Sequence, residues 1–241
     1  ELRDDSQKLL DNKHYRDSIL QAQNTITKAQ EAKTAAIKRK AELSLIDAEK
    51  YISAAVGDGA QLYATEDILE ARNLLKQGRD AWQGGQFTKA QDISSQIKNK
   101  VDDAFTTMRK KAAAQIDEAR KAISNAEDSH YMITHYTQPQ QTLAVAKQKA
   151  EEADTLLSNQ KYSKAIETAV DSRATAIDAK NSSIRLQITD RTPVIRHQIE
   201  EAKIAGAYIY AIEEYDKALT DIKSSQDNLA VGKYDLALEN M

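Results

Sequence analysis

Histidines and neighbouring carboxylates are the residues in this sequence that could bind a metal or move a proton. The four histidines are His14, His130, His135 and His197. Two ligands on one helix face need a spacing of four, but His130 and His135 are five apart and only Asp128 stands near them. His14 falls on a predicted turn and His197 on a polar helix. All four are read as solvated or loop-facing. Carboxylate pairs occur at Asp102-Asp103, Glu151-Glu152, Glu200-Glu201 and Glu213-Glu214. Glycosidase-type chemistry needs two carboxylates facing each other across a cleft, one with its pKa raised by burial. Adjacent residues on a helix point to different sides, so these pairs are read as solvated faces matched by Lys and Arg.

No cysteine is present, which removes thiolate zinc sites, disulfide frameworks and cysteine nucleophiles together. Gly57-Asp58-Gly59 and Gly84-Gly85 lack the strand–loop–helix context and the Lys-Ser/Thr of phosphate-cradling loops and are read as turns. The basic run Arg109-Lys110-Lys111 is short and flanked by acidic residues. The expectation is a protein that is not an enzyme, with no catalytic, metal or cofactor-binding residues and no cofactor.

The elements that would hold these residues are set by composition. Among 241 residues there are 34 Lys+Arg against 37 Asp+Glu, so the net charge of −3 gives no bulk attraction to nucleic acid. Leu, Ile, Val and Phe number 18, 21, 6 and 2, and Ala adds 37. Seven Gly and two Pro are too few breakers for an all-β or mixed domain of this length. The fold class is therefore all-α, with long, thinly packed helices. No apolar run approaches the roughly 18 residues of a membrane-spanning helix, so no direct membrane span is expected.

One phrase recurs four times: Leu9-Leu10-Asp11-Asn12-Lys13-His14-Tyr15, Ala81-Trp82-Gln83-Gly84-Gly85-Gln86-Phe87, Leu156-Leu157-Ser158-Asn159-Gln160-Lys161-Tyr162 and Asn228-Leu229-Ala230-Val231-Gly232-Lys233-Tyr234. The closing aromatics Tyr15, Phe87, Tyr162 and Tyr234 return with a period of about 72 residues, the middle interval being slightly longer than the other two. Asn12, Gly84 and Asn159 stand three residues before the aromatic, where a left-handed residue could close a helix, and Gly232 stands one place later. Helical spacing resumes after the aromatic, as in Ser18, Ile19, Ala22, Ile26 and Ala29, or Ala165, Ile166, Ala169, Val170 and Ile177. Each phrase thus reads as a helix–turn–helix corner. Tyr15, Trp82, Phe87, Tyr162 and Tyr234 are its structural aromatics, and Trp82 is expected in the core beside Leu10 and Leu157.

A second phrase precedes two of these aromatics: Gly59-Ala60-Gln61-Leu62-Tyr63-Ala64 and Gly206-Ala207-Tyr208-Ile209-Tyr210-Ala211. Tyr63 stands as far before Phe87 as Tyr210 does before Tyr234. In the middle copy His135-Tyr136-Thr137-Gln138-Pro139 takes its place, with Pro139 suited to a first helical turn. These phrases mark the start of a short helix. A third echo, Ile46-Asp47-Ala48-Glu49, Ile116-Asp117-Glu118-Ala119 and Ile199-Glu200-Glu201-Ala202, is assigned to the end of a long helix.

No breaker falls between about Arg16 and Val56, or between Thr88 and Ser129. The resulting architecture is an elongated tandem array of spectrin-like three-helix bundles that share long continuous helices, with a repeat period of about 72 residues. Its units are 1–56, a partial repeat; 57–134, a full three-helix unit; 135–205, a second unit broken by Thr192-Pro193, where a kink or hinge is expected; and 206–241, a truncated third unit. Both ends fall inside predicted helices, which gives the expectation of a piece of a longer array.

The pattern Tyr63-Ala64…Ile68-Leu69…Ala71…Leu74-Leu75…Ala81…Gly84-Gly85-Gln86-Phe87…Ala90 resembles an uncharacterised helical-repeat family of bacterial envelope proteins, often lipoproteins, that accompanies LysM or OmpA-like domains. Within it the chain is most similar to the helical portion of spirochaetal LysM-bearing envelope proteins. The resemblance implies a periplasmic or cell-envelope location, with a lipid anchor in the full-length protein, and a scaffold role in spacing or docking other envelope proteins. It implies peptidoglycan contact only through a domain outside this sequence, and it carries over no catalytic residue. The corner phrase also resembles a tetratricopeptide repeat, which would make the chain a solenoid adaptor with a protein or peptide in its groove. Such repeats return every ~34 residues, and no corner is visible midway between those above.

Within the chain, the residues assigned to partner binding are Tyr131, His135 and Tyr136 at one predicted loop and Tyr208, Tyr210 and Tyr215 at the next. Aromatic clusters at loops offer a large contact area at small entropic cost.

Overall fold

A computed structural model describes residues 2–11, 15–128 and 135–241, and among them every regular element is an α-helix. The elements are α1 (Leu2–Asp11), α2 (Tyr15–Gly57), α3 (Ala60–Tyr63), α4 (Thr65–Gln83), α5 (Phe87–Asp128), α6 (Thr137–Ser158), α7 (Tyr162–Ile204), α8 (Ala207–Tyr210), α9 (Ile212–Ala230) and α10 (Tyr234–Glu239). Helices α2, α5 and α7 have 43, 42 and 43 residues, or roughly 65 Å each at 1.5 Å per residue. The chain divides into two compact units, Glu1–Met108 and Arg109–Met241, and the division falls within α5.

In unit 1 the second half of α2, α4 and the first half of α5 meet around Gly78. A methyl group added at Gly78 would stand 2.6 Å from Leu45 Cδ2 and 3.2 Å from Ile93 Cγ2, so this α4 position has no room for a larger residue. Ile68 of α4 and Ile97, Val101 and Met108 of α5 are buried in the same unit. In unit 2 one core joins Ile123 and Ala126 of α5, Leu143 and Ala146 of α6, and Ala176 and Ala179 of α7. A smaller cluster puts Ile116, Ala153 and Ala169 together with Leu157. At the far end of α7, Ile184 and Ile188 pack with Leu229 of α9 and Tyr234, Ala237 and Leu238 of α10.

The corners are tight reversals whose left-handed residue stands two places before the aromatic in every described copy: Gly85 at φ 74°, Gln160 at φ 58° and Gly232 at φ 75°. Gly84 and Asn159, expected in that role, have φ of −76° and −84°. Asn12 lies outside the described residues. The hydrogen bonds explain the shift. The Gln86, Lys161 and Lys233 amides donate to the Ala81, Leu156 and Asn228 carbonyls, each at 2.9 Å. The Gly85, Gln160 and Gly232 amides donate to Trp82, Leu157 and Leu229. This is the Schellman closure, which needs its left-handed residue just after the last helical carbonyls it satisfies.

The aromatics of the corners are not the core. Tyr15 is exposed, and Trp82, Phe87, Tyr162 and Tyr234 are half-buried. Trp82 lies on α2, its indole N–H donating to the Lys38 carbonyl at 3.3 Å and its ring beneath the Lys38 ammonium at 5.4 Å. Leu10, its expected neighbour, has no described side chain, and Leu157 packs in unit 2. The buried corner positions are the small residues one turn after each aromatic, Ser18, Ala90, Ala165 and Ala237.

The second phrase folds alike in its two copies. Gly59 and Gly206 take φ of 91° and 86°, a single helical turn follows, and Ala64 and Ala211 at φ −139° and −143° start the next helix. Pro139 is buried in the first turn of α6, where its missing N–H would have no helical acceptor.

One expectation fails here. Helix α7 runs through Pro193 to Ile204, with no break at Thr192-Pro193. Pro193 and Thr189, whose carbonyl loses its donor, are both exposed, so solvent can serve that carbonyl, and Thr192 Oγ1 donates to the Ile188 carbonyl at 2.7 Å. The third echo falls in the closing turns of a long helix in each copy, Ile46–Glu49 in α2, Ile116–Ala119 in α5 and Ile199–Ala202 in α7.

An L-residue in the left-handed region costs about 1 kcal/mol. Chemical denaturation is therefore expected to show Gly85→Ala and Gly232→Ala each losing about 1 kcal/mol, and Gln160→Gly gaining a comparable amount.

Candidate functional site

Among the described residues, unit 2 carries the largest run of exposed apolar side chains near one turn. Ile204 is 80% and Tyr210 87% exposed, and Tyr208, Ile209 and Ile212 are exposed with them. Local sequence causes this. Gly206 reverses the chain in the left-handed region, and the single turn of α8 places Tyr208, Ile209 and Tyr210 in succession, so they cannot all point to one side. The Tyr210 ring lies against Gly206, with ring carbons 3.2 and 3.3 Å from where a methyl group would stand.

Beside this turn lies a groove of ≈ 310 Å³ between the end of α7, α8 and α9. Its walls are Ile195, Ile199 and Ala202 of α7, Ala211, and Tyr215 and Ala218 of α9. Glu214 and Tyr215 are the ionisable residues that line it. The rest of the lining is Gln198 and the apolar or small side chains named above, with Ala207. Among the described residues no group of three or more His, Asp or Glu side chains is placed to hold a metal ion.

The residues assigned to partner binding separate accordingly. Tyr131 lies outside the described residues. His135 is exposed. Tyr136 is half-buried and its hydroxyl donates to Asp190 of α7 at 2.8 Å, which ties the start of α6 to α7. Tyr208 and Tyr210 are exposed on α8, and only Tyr215 lines the groove. Sequence reasoning missed Ile195, Ile199, Ala202 and Ala218. On α7 the spacings of four and three from Ile195 to Ile199 to Ala202 continue the apolar stripe of Ile184 and Ile188, a signal hidden by the break assigned to Pro193.

Several charged residues pair across neighbouring helices. Arg79 pairs with Glu49 at 2.6 Å, Lys100 with Glu70 at 3.0 Å, Arg120 with Asp154 at 2.6 Å and Lys149 with Asp171 at 2.8 Å, each linking two helices. Of the carboxylate pairs, Asp102 accepts the Tyr51 hydroxyl at 2.6 Å, Asp103 is 3.5 Å from Lys100, and Glu201 is 3.5 Å from His197. The hydrogen bond and charge of Glu70 hold the Lys100 ammonium above its usual range, and those of Lys121 hold Glu118 below the usual carboxylate range.

No protein-family model matches the chain, and neither a curated protein nor a solved structure matches it. What the site can do therefore rests on its own geometry. That geometry is an apolar cleft between two helices, edged by exposed aromatic and aliphatic side chains, on a chain in which no described helix is long and apolar enough to cross a membrane.

Tyr51 is a second residue that sequence reasoning missed. It joins α2 to α5 through Asp102 and through a tilted contact with Phe105 at 6.2 Å between ring centres. The hydrogen bond to Asp102 raises its pKa, with burial and the carboxylate charge adding to the effect. A raised folded pKa contributes stability at all pH below the ordinary tyrosine range, about 10, and loses it as pH climbs through the folded value. Wild type is expected to exceed Tyr51→Phe by about 0.5–1 kcal/mol at neutral pH, with the gap closing above about pH 10. Denaturant melts across that range, with phenolate absorbance read in parallel, check this.

Proposed function

We propose that this chain is a non-enzymatic scaffold of the bacterial cell envelope, made of tandem spectrin-like three-helix units with a period of about 72 residues, that spaces or docks other envelope proteins. The observation that supports the architecture is a repeated local plan. Three-helix junctions recur where the second half of one long helix, a short helix and the first half of the next long helix meet, at Gly78 in unit 1 and around Ile123, Leu143 and Ala176 in unit 2, and each described corner closes with the same pair of hydrogen bonds. Helices of 42 and 43 residues weigh against the tetratricopeptide-like solenoid, whose helix pairs recur every ~34 residues. The periplasmic location, the lipid anchor of a full-length protein and the separate peptidoglycan-binding domain rest on the resemblance of the corner phrases to spirochaetal LysM-bearing envelope proteins. The scaffold role is supported by carboxylates that are engaged in hydrogen bonds and ion pairs and by apolar surface gathered at one turn. In this reading docking uses the apolar turn and groove of unit 2.

Two measurements test the proposal. Small-angle scattering is expected to give a radius of gyration well above the ~18 Å of a globular domain of this length. A value matching the globular one would refute the tandem array. Crosslinked capture from a native envelope fraction, with purified sacculi sedimented alongside, is expected to recover one or two proteins and no sacculi. Sedimentation with sacculi and no protein would overturn the docking role and place wall binding in this chain.

A further inference from the structure

Two helix pairs in this chain carry the same buried stripes. Leu45, Ala48 and Ile52 of α2 recur at the same spacing as Ile116, Ala119 and Ile123 of α5. Ile68, Ala71 and Leu75 of α4 likewise recur as Leu143, Ala146 and Ala150 of α6. The correspondence extends to the outside of each pair. Glu49 with Arg79 at 2.6 Å in unit 1 matches Arg120 with Asp154 at 2.6 Å in unit 2, the same rung with its charges exchanged. Two helical turns further along, unit 2 has a second rung, in which Glu127 of α5 holds Lys147 of α6. The matching residues of unit 1 are Val56 and Arg72, so the cation is kept and its carboxylate is not.

At this second position in unit 1 a groove of ≈ 560 Å³ lies open between α2 and α4. Ile52 and Leu75 form its floor, 5% and 8% exposed, with Val56 half-buried beside them. Arg72 and Lys76 stand one turn apart on its exposed rim. The positions three and four from Arg72 on α4 are Ile68, Leu69, Leu75 and Lys76, none of them acidic. Of the two acids that line the groove, Glu49 is held by Arg79, and Asp80 stands two turns from Arg72. A second hollow of ≈ 240 Å³ shares Glu49, Arg79 and Gln83 with the first and continues it to Leu45, Ile46 and Trp82. From Arg72 to Gln83 the trough follows α4 for roughly 16 Å. Helices α2 and α4 alone line it, and every lining residue lies between Glu42 and Gln83.

We propose that this trough is the docking site of an acidic amphipathic helix of a partner protein. One carboxylate of that helix sits at Arg72 and a second, one turn along, at Lys76. Its apolar stripe lies on Ile52 and Leu75 and runs on toward Ile46 and Trp82. The partner thus supplies from outside the rung that Glu127 supplies to Lys147 within unit 2. Charge complementarity selects the acid, because an arginine beside an apolar floor, with no carboxylate of its own, takes one through two parallel hydrogen bonds. Spacing selects the helix, because Arg72 and Lys76 stand four residues apart and carboxylates four apart on a helix laid alongside meet both. A straight trough between two helices also accepts a third along its length. At its far end Trp82 and Arg79 are residue types that anchor interfaces. The inference rests on the pairing pattern within this chain and on neither the envelope location nor the groove of unit 2.

The probe is a fluorescein-labelled helical peptide of repeated Leu-Ala-Glu-Ile-Ala-Lys-Glu, whose glutamates line one flank of its apolar stripe. It is held at nanomolar concentration and titrated with the full chain, with anisotropy as the readout. Saturable binding that weakens with added salt is expected. The double variant Arg72→Glu, Lys76→Glu is expected to bind at least about tenfold more weakly, with far-UV circular dichroism unchanged because both side chains are on the exposed rim. A peptide with lysine in place of glutamate is expected to bind that variant more tightly than the original peptide does. Val56→Glu, which gives Arg72 the partner that Lys147 has in unit 2, is expected to weaken binding about two- to fivefold with helicity retained. Lys111→Glu, outside the trough, is expected to bind as wild type does. The proposal is overturned by no saturable binding, by equal binding to the double variant, or by a glutamine-for-glutamate peptide that binds as tightly as the original. Self-association of the chain that the double variant abolishes would also overturn it, because a second copy would then be the occupant. Loss of peptide binding leaves the capture and scattering results untouched, so the two readings fail separately.

Discussion

Close approach of helix backbones is the constraint on which the rest of this structure depends. Large aliphatic side chains are scarce, and dispersion attraction falls steeply with any gap, so thin helices cohere only where their axes come near. Small residues make that possible. Gly78 lies against Leu45 and Ile93 with no space for a methyl group. Nine residues before each corner aromatic stand Ser6, Gly78, Ala153 and Ser225, and the last three are buried. Three residues after it stand Ser18, Ala90, Ala165 and Ala237. The Ser225 hydroxyl reaches the Ala237 carbonyl at 2.6 Å, and Ser172 reaches the Ala146 carbonyl on the neighbouring helix at 2.6 Å. Such side chain–to–backbone bonds between helices need backbones in near contact, and they satisfy hydroxyls that burial would otherwise leave without water.

The corners serve the same end. A Schellman closure reverses the chain within four residues while using up the last carbonyls of one helix, so the next helix starts beside the previous one and not at a distance. The small residue one turn later is then the first to meet the helix just ended. The half-buried aromatic lies over the junction, as Tyr234 does against Ile184 and Ile188. Charges decorate the outside of these junctions. The cross-helix pairs Arg79–Glu49 and Lys147–Glu127 are exposed, so each adds little stability and mainly favours one register over its neighbours.

The groove in unit 2 follows from the same constraint. A face built of alanine and isoleucine is buried wherever a third helix lies on it and becomes an apolar cleft wherever none does. The residues of unit 1 that correspond through the repeated phrases, Ala48, Ile52 and Ala71, are buried, and Ile195, Ile199 and Ala218 of unit 2 are half-exposed.

Much of this was written in the sequence. The shortage of Gly and Pro determined an all-helical chain with long helices, because few residues in it favour ending a helix. The four aromatic phrases located the corners, and the two glycine-tyrosine phrases located the short turns at Ala60–Tyr63 and Ala207–Tyr210. Other features were settled only by tertiary contact. Which residue of a corner turns left-handed depends on which carbonyls must be satisfied, so Gln160 took a role that residue preference gave to Asn159. Pro193 reads as a break in one dimension, yet it sits on an exposed side of α7 where solvent can take the place of its missing hydrogen bond. The stripe at Ile19, Ala22, Ile26 and Ala29 fits a helical period but is exposed, and Gln21 and Thr25 turn partly inward instead. Periodicity identifies an amphipathic helix, whereas the face that is buried is decided by where neighbouring helices lie. For the same reason no local pattern could show that Ile195, Ile199 and Ala218 would line an open groove while Ala48, Ile52 and Ala71 would be sealed.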